Sequence, residues 1–261
     1  MRYLYRALTV LGGYRAQRVM GVATLVGLAA TAVIGLAVVP PDATQGDVQR
    51  LMYVHVPAAW VMFLAFGVVF VASIAYLKTG RVQWDRVAAA SAEIGVLFCV
   101  LTIVLGSLWG RPVWGTWWTW DPRLTTTAVL LLIYVGYLSL RKVADSPARR
   151  AKWSAVVGII GFLDVPIVDR SVVWWRSLHQ QATVLRLGAP TIAGSMLATL
   201  LLGFVAFTLA YGYLMAVRLR VGRLEDRGAA PVAAPPAPRA RRPRPADVPA
   251  SVGSFGDDGH A

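Results

Sequence analysis

Residues 87–123 read VAAASAEIGVLFCVLTIVLGSLWGRPVWGTWWTWDPR. The stretch from Val87 to Leu108 is almost wholly apolar and reaches the ~20 residues needed to cross a bilayer. Its end crowds Trp117, Trp118 and Trp120 against Asp121 and Arg123, and a second apolar run, Leu124 to Leu140, follows at once. A polar, aromatic segment caught between two spans belongs at a membrane edge. Four further apolar runs extend the pattern: Met20 to Val39, Val56 to Leu77, Trp153 to Val168 and Thr191 to Val217. The expectation is an all-α polytopic membrane protein with six transmembrane helices, because in lipid a helix satisfies every backbone polar group internally. Composition agrees: 57% of the 261 residues are apolar and 15% charged, too few charges for an ordinary soluble domain. The first run ends in Pro40-Pro41 without a small-residue cleavage site, so it reads as a retained helix rather than a signal peptide.

The net charge of +13 is unevenly spread. Basic residues gather before span one (Arg2, Arg6, Arg15, Arg18), between spans two and three (Lys78, Arg81, Arg86) and between four and five (Arg141, Lys142, Arg149, Arg150, Lys152). Eight more arginines follow span six. The other face holds only Arg50, Arg111, Arg123, Arg170, Arg176 and Arg186. By the positive-inside rule both termini are cytoplasmic and the tryptophan segment faces outward. The basic excess is thus a topology signal, and no nucleic-acid partner is expected. The chain divides into a cytoplasmic N-terminus (1–18), a membrane domain (19–220) with an outward tryptophan-rich loop (109–125), and a cytoplasmic tail (221–261). Proline, alanine and arginine dominate the tail from 228 onward; it is expected to be disordered, with its arginines touching anionic membrane lipid.

The lone cysteine, Cys99, lies inside span three and reads as a small buried hydrophobe. There is no C-x-x-C pair, no C-x-x-C-H haem attachment site and no phosphate-binding P-loop. Energy input must therefore come from a partner, and no enzymatic activity of the chain's own is expected. Glu93 and Asp164 lie within spans, where charge is costly and either paired or functional.

Three histidines are present; His260 is in the tail, whereas His55 and His179 fall on the outer face. Pro57 places His55 at or just outside a helix N-terminus. Tryptophan is common at membrane interfaces, but an anchoring belt should serve both faces. Here Trp109, Trp114, Trp117, Trp118 and Trp120 fall in one outer loop and Trp174 and Trp175 in the next, against only Trp84 and Trp153 on the inner side. Flat aromatic walls suit a large, flat, apolar ligand, and two histidines from separate segments suit a metal with two axial positions. Haem meets both requirements. Arg50, Arg111, Arg123, Arg176 and Arg186 are the cations available for its propionates. Two histidines alone make a poor zinc site. Asp121 has two readings: accepting hydrogen bonds from indole N–H groups to shape the loop, or supporting an axial histidine through its second nitrogen.

WGTWWTWDPRLT (114–125) is similar to the tryptophan-rich signature of haem-handling proteins in cytochrome c maturation, and YVHVPAAW (53–60) and SVVWWRSLHQ (171–180) resemble the flanking histidine segments of the CcmC family. The resemblance covers about residues 15–220. It implies a multi-pass protein of the bacterial inner membrane that presents haem b, held non-covalently, at the outer face and promotes its transfer to the haem chaperone CcmE. It implies CcmA, CcmB and the small CcmD as partners. His55 and His179 become the axial ligands, and Trp114, Trp117, Trp118, Trp120, Asp121 and Arg123 the platform. Related haem lyases of the CcsA and CcmF types share the signature, so direct attachment of haem to apocytochrome c is the alternative; a purely scaffolding subunit is the third reading.

Overall fold

The computed structural model describes residues 13–181, 184, 189 and 191–228. The tail beyond 228, the residues before 13 and Arg186 lie outside the described residues, and with them the expectations placed there. The described chain is helical: α1 (Tyr14–Val33, continued by a π-turn at Ile34–Val38), a 3₁₀ segment (Asp47–Leu51) running into α2 (Met52–Thr79), α3 (Val82–Trp114), α4 (Pro122–Val143), α5 (Pro147–Phe162), α6 (Asp164–Trp174) and α7 (Gly194–Gly228). Among the described residues, five stretches are long and apolar enough to cross a membrane: Tyr14–Val38, Asp47–Thr79, Val82–Trp114, Pro122–Val143 and Gly194–Glu225. The protein is an all-α polytopic membrane protein.

The remaining span, expected as one short helix at 153–168, is built from two. α5 and α6 meet at Leu163, whose N–H turns back to the Ile160 carbonyl at 3.0 Å. Pro166 has no N–H to offer the Phe162 carbonyl, so the regular ladder cannot run through. Together Pro147 to Trp174 is long enough, at about 1.5 Å per residue, to cross ~30 Å of hydrocarbon.

α2 and α3 form the central antiparallel pair, joined through Gly80 in the left-handed conformation (φ 64°). α7 packs along one side of α2 and carries α1 against it, and α5, with α4 beside it, packs along the other. Small residues set the spacing, as is usual where lipid removes the hydrophobic drive between helices. A Cβ at Gly95 of α3 would stand 2.6 Å from Cε1 of the fully buried Phe66, whose ring stacks on Tyr134 of α4 at 3.8 Å. Gly158 and Gly161 of α5 likewise receive Val69 and Tyr134. Gly95→Val should therefore force Phe66 off its stack and destabilise the bundle by about 1–3 kcal/mol, despite valine's better helix propensity. Thermal unfolding in detergent reads this; an unchanged midpoint would mean the helices can simply move apart. α1 sends Val19, Val22, Leu25 and Val26 outward, as a lipid-facing helix should.

Two carboxylates of α3 are paired with arginines of other helices. Glu93 receives two hydrogen bonds from Arg218, Nε to Oε2 at 2.5 Å and Nη2 to Oε1 at 3.0 Å. Asp85, in the first turn of α3, receives two from Arg141, in the last turn of α4, at 2.5 and 2.9 Å. Asp164 begins α6 at the helix break, with its Oδ2 buried and unpartnered. Cys99 is fully buried, its thiol 3.8 Å from the Thr127 carbonyl.

Candidate functional site

α3 outlasts its apolar run. It continues past Pro112 to Trp114 and stops at Gly115, whose φ of 78° suits glycine and whose N–H bonds the Arg111 carbonyl at 3.0 Å. Trp109 and Trp114 are therefore helical, and the connection to α4 is only residues 115–121. It carries Trp117, Trp118 and Trp120; the last two meet edge to face at 5.6 Å. Trp117 and Trp120 are exposed, and the Arg111 guanidinium lies 6.0 Å from the Trp117 ring while its Nη1 donates to the Gly115 carbonyl.

Asp121 organises this end of the bundle. It is the N-cap of α4, with Pro122 at the first helical position, and it has the extended backbone that a following proline imposes (φ −59°, ψ 144°). Its Oδ1 accepts from the Arg123 N–H at 2.9 Å and the Ser177 hydroxyl at 3.1 Å, and its Oδ2 accepts from the Leu178 N–H at 2.7 Å. No indole N–H is among these donors, so the first reading of Asp121 is corrected: the carboxylate shapes the segment by bonding backbone N–H groups and a serine hydroxyl, which lie nearer to it than any indole N–H. Burial alone would raise its pKa; the bonds from Leu178, Ser177 and Arg123 win and hold it below the ordinary carboxylate value.

The segment that Asp121 clamps is the one carrying His179. Ser177 closes the link by accepting the His179 N–H at 3.1 Å. The imidazole Nδ1 stands 3.4 Å from Asp121 Oδ1, a close approach without hydrogen-bond geometry, and its ring meets Trp114 at 4.8 Å and 67°. Burial, then the nearby Arg123 guanidinium, lower the His179 pKa against the opposing pull of Asp121, so the ring is neutral near pH 7 and able to ligate a metal.

His55 reaches the same end from α2. The sequence placed it at or before a helix start; the 3₁₀ segment at Asp47–Leu51 runs directly into α2, so His55 is already inside the helix and Pro57 lies one turn within. Its Nδ1 is buried without a hydrogen-bond partner. A Cβ at Gly106 of α3 would fall 3.1 Å from His55 Cε1, so a side chain there would push the ring by a few tenths of an ångström. Trp109, one turn on, meets the ring edge to face at 5.7 Å and 85°. His179 and Arg123 are both close enough to act on His55 electrostatically.

The structure thus gathers His55, His179, Trp114, Asp121 and Arg123, and sets Trp117, Trp118 and Trp120 around their rim. An open depression of about 430 Å³ lies alongside, lined by Thr119, Trp120, Asp121, Pro122, Arg176, Ser177 and Leu178. Trp174 and Trp175 are exposed next to it in the chain. Among the expected cations, Arg50 is committed elsewhere: its Nη1 donates to the Gly35 and Val39 carbonyls at 2.5 and 3.0 Å, and its Nε to Asp47 at 2.8 Å. Arg176, on the rim, and Arg123 remain at the site. Sequence reasoning missed Ser177 and Gln45, whose roles come from side-chain contacts across the fold and leave no local signal.

Comparison with known proteins bears on this arrangement. The family model described as CcmC, Heme exporter protein C, matches residues 7–233. The chain is 41% identical over 191 residues to Heme exporter protein C of Bradyrhizobium diazoefficiens, covering 70% of this chain and 73% of that protein. It is 38% identical over 203 residues to the protein of that name from Haemophilus influenzae (78% and 82% covered) and 35% over 187 residues to that from Escherichia coli K12 (71% and 76%). By the family model and by these relatives, the chain, with its helical membrane bundle and tryptophan-rich cap, belongs to the CcmC, or haem exporter protein C, family.

Proposed function

We propose that this protein binds haem b non-covalently at the tryptophan-rich end of its bundle and delivers it for cytochrome c maturation. One observation carries the reading: a single carboxylate, Asp121, ties the tryptophan segment to the His179 segment, at the end of the bundle where His55 also emerges. Two imidazoles from separate elements suit the two axial positions of a haem iron. Exposed indoles supply a flat apolar surface, and Arg176 and Arg123 offer cations to the propionates. Trp114, Trp117, Trp118 and Trp120 form the platform. The names of the relatives support haem as cargo.

The positive-inside distribution supports a periplasmic position for this end in a bacterial inner membrane, where the platform presents haem with an open edge and the chaperone CcmE takes it. CcmA and CcmB supply the ATP chemistry that the chain lacks a motif for, with CcmD as a further small partner. The membrane lipid contacts the basic inner face.

The test is the absorption spectrum of detergent-purified protein from haem-replete cells. Wild type should show a Soret band, and His55→Ala and His179→Ala should each shift it and lose haem. A haem-free wild type, where a control haem protein loads, would overturn the reading. Adding CcmE and a C-x-x-C-H apocytochrome in turn separates delivery from lyase activity.

A further inference from the structure

We propose that Trp109, held by Gln45, is a positioning residue for His55, fixing the plane in which that imidazole is presented; the inference rests on the haem-site reading above. Among the described residues the His55 Nδ1 has no hydrogen-bond partner, so no hydrogen bond at that atom orients the ring. Orientation falls to one stripe of α3: a backbone contact at Thr102 holds one edge, Gly106 gives the ring room, with the position of its absent Cβ 3.1 Å from Cε1, and Trp109 stands edge to face at 5.7 Å. An imidazole wedged this way turns if the indole against it turns.

Trp109 is in turn anchored by one polar bond. Its indole Nε1 donates to Gln45 Oε1 at 2.8 Å, across 64 residues of chain. The backbone carrying Gln45 is held as well. Asp42 Oδ1 accepts from the Thr44 and Gln45 N–H groups at 2.9 Å each, and Asp42 and Gly46 exchange backbone bonds at 2.9 and 3.3 Å. Gly46, at φ 59°, makes the tight turn possible. The remaining surface of Trp109 rests against the apolar cluster of Val39, Met52, Tyr53, Met196 and Leu200. The 40–46 turn thus sets the Trp109 plane, and Trp109 sets His55. Groups that orient a ligand are commonly worth 10–100-fold in metal affinity.

The test uses Gln45→Leu, which removes the acceptor, Trp109→Phe, which keeps an aromatic edge without the N–H, and Gln45→Glu, which keeps an acceptor. In full-length purified protein, Gln45→Leu and Trp109→Phe should each shift the Soret band and lower haem retention by about 10-fold, while Gln45→Glu stays near wild type. A second readout needs no haem. The chain has three histidines, so ¹³C-histidine-labelled haem-free protein gives three ring signals, and the one lost in His55→Ala should move in Gln45→Leu. If His55→Ala alters the spectrum while Gln45→Leu and Trp109→Phe match wild type in both readouts, the positioning role fails and the haem site stands. If His55→Ala leaves the haem spectrum unchanged, the haem-site reading fails and takes this one with it.

Discussion

Asp121→Ala should release the segment bearing His179 while leaving the helix bundle folded. The substitution removes the acceptor of the Leu178 and Arg123 N–H groups and of the Ser177 hydroxyl at once. Bonds to a charged acceptor are each worth ~1.5–3 kcal/mol, and loss of an N-cap alone costs ~1. A local cost of about 3 kcal/mol is expected, which is roughly a 100-fold rise in hydrogen exchange for peptides covering 175–181. Haem retention should fall with it. Exchange confined to wild-type rates would show that other contacts hold the segment. The effect has a pH signature. Asp121 is held below the ordinary carboxylate value in the fold, so its stabilisation is complete above the unfolded value of about 3.9. It is lost as pH falls through the lower folded value. Exchange at 175–181 should therefore stay slow through neutral and mildly acidic buffers and accelerate only in strong acid.

Arg141→Ala should be the most destabilising single change at the opposite end. Arg141 and Asp85 form a two-pronged pair with side chains only 15% and 7% exposed, joining the last turn of α4 to the first turn of α3. Removing the arginine strands a buried carboxylate, a defect that costs about 3–5 kcal/mol. For a chain of this size that lowers the thermal midpoint by about 10 °C. The Asp85→Ala/Arg141→Ala double variant should recover much of the loss, because the penalty comes from the unpaired charge rather than from the missing attraction. A double variant as unstable as the single one would mean that Arg141 acts through packing, for which the Tyr137 ring, 5.9 Å from its guanidinium, is the candidate.

Much of this protein was determined by its sequence alone. Runs such as Val87 to Leu108 can only be helices in lipid, because no other local structure satisfies every backbone group there. Charge asymmetry gives their expected orientation, and the signature at 114–125 carries the resemblance to the family. His55, His179 and the tryptophans stood out because polar and aromatic residues are conspicuous against an apolar background.

Tertiary structure decided what those residues touch. Periodicity carries no record that Asp121 bonds Leu178 or that Trp109 reaches Gln45, since these contacts join segments 57 and 64 residues apart. It decided that Glu93 is an ion-pair member, because its cation, Arg218, comes from another helix. It split the fifth span at Leu163, where a missing proline N–H meets the packing of two short helices rather than one. Local chemistry chose the elements; the side-chain partners that position the candidate site exist only once the helices have packed.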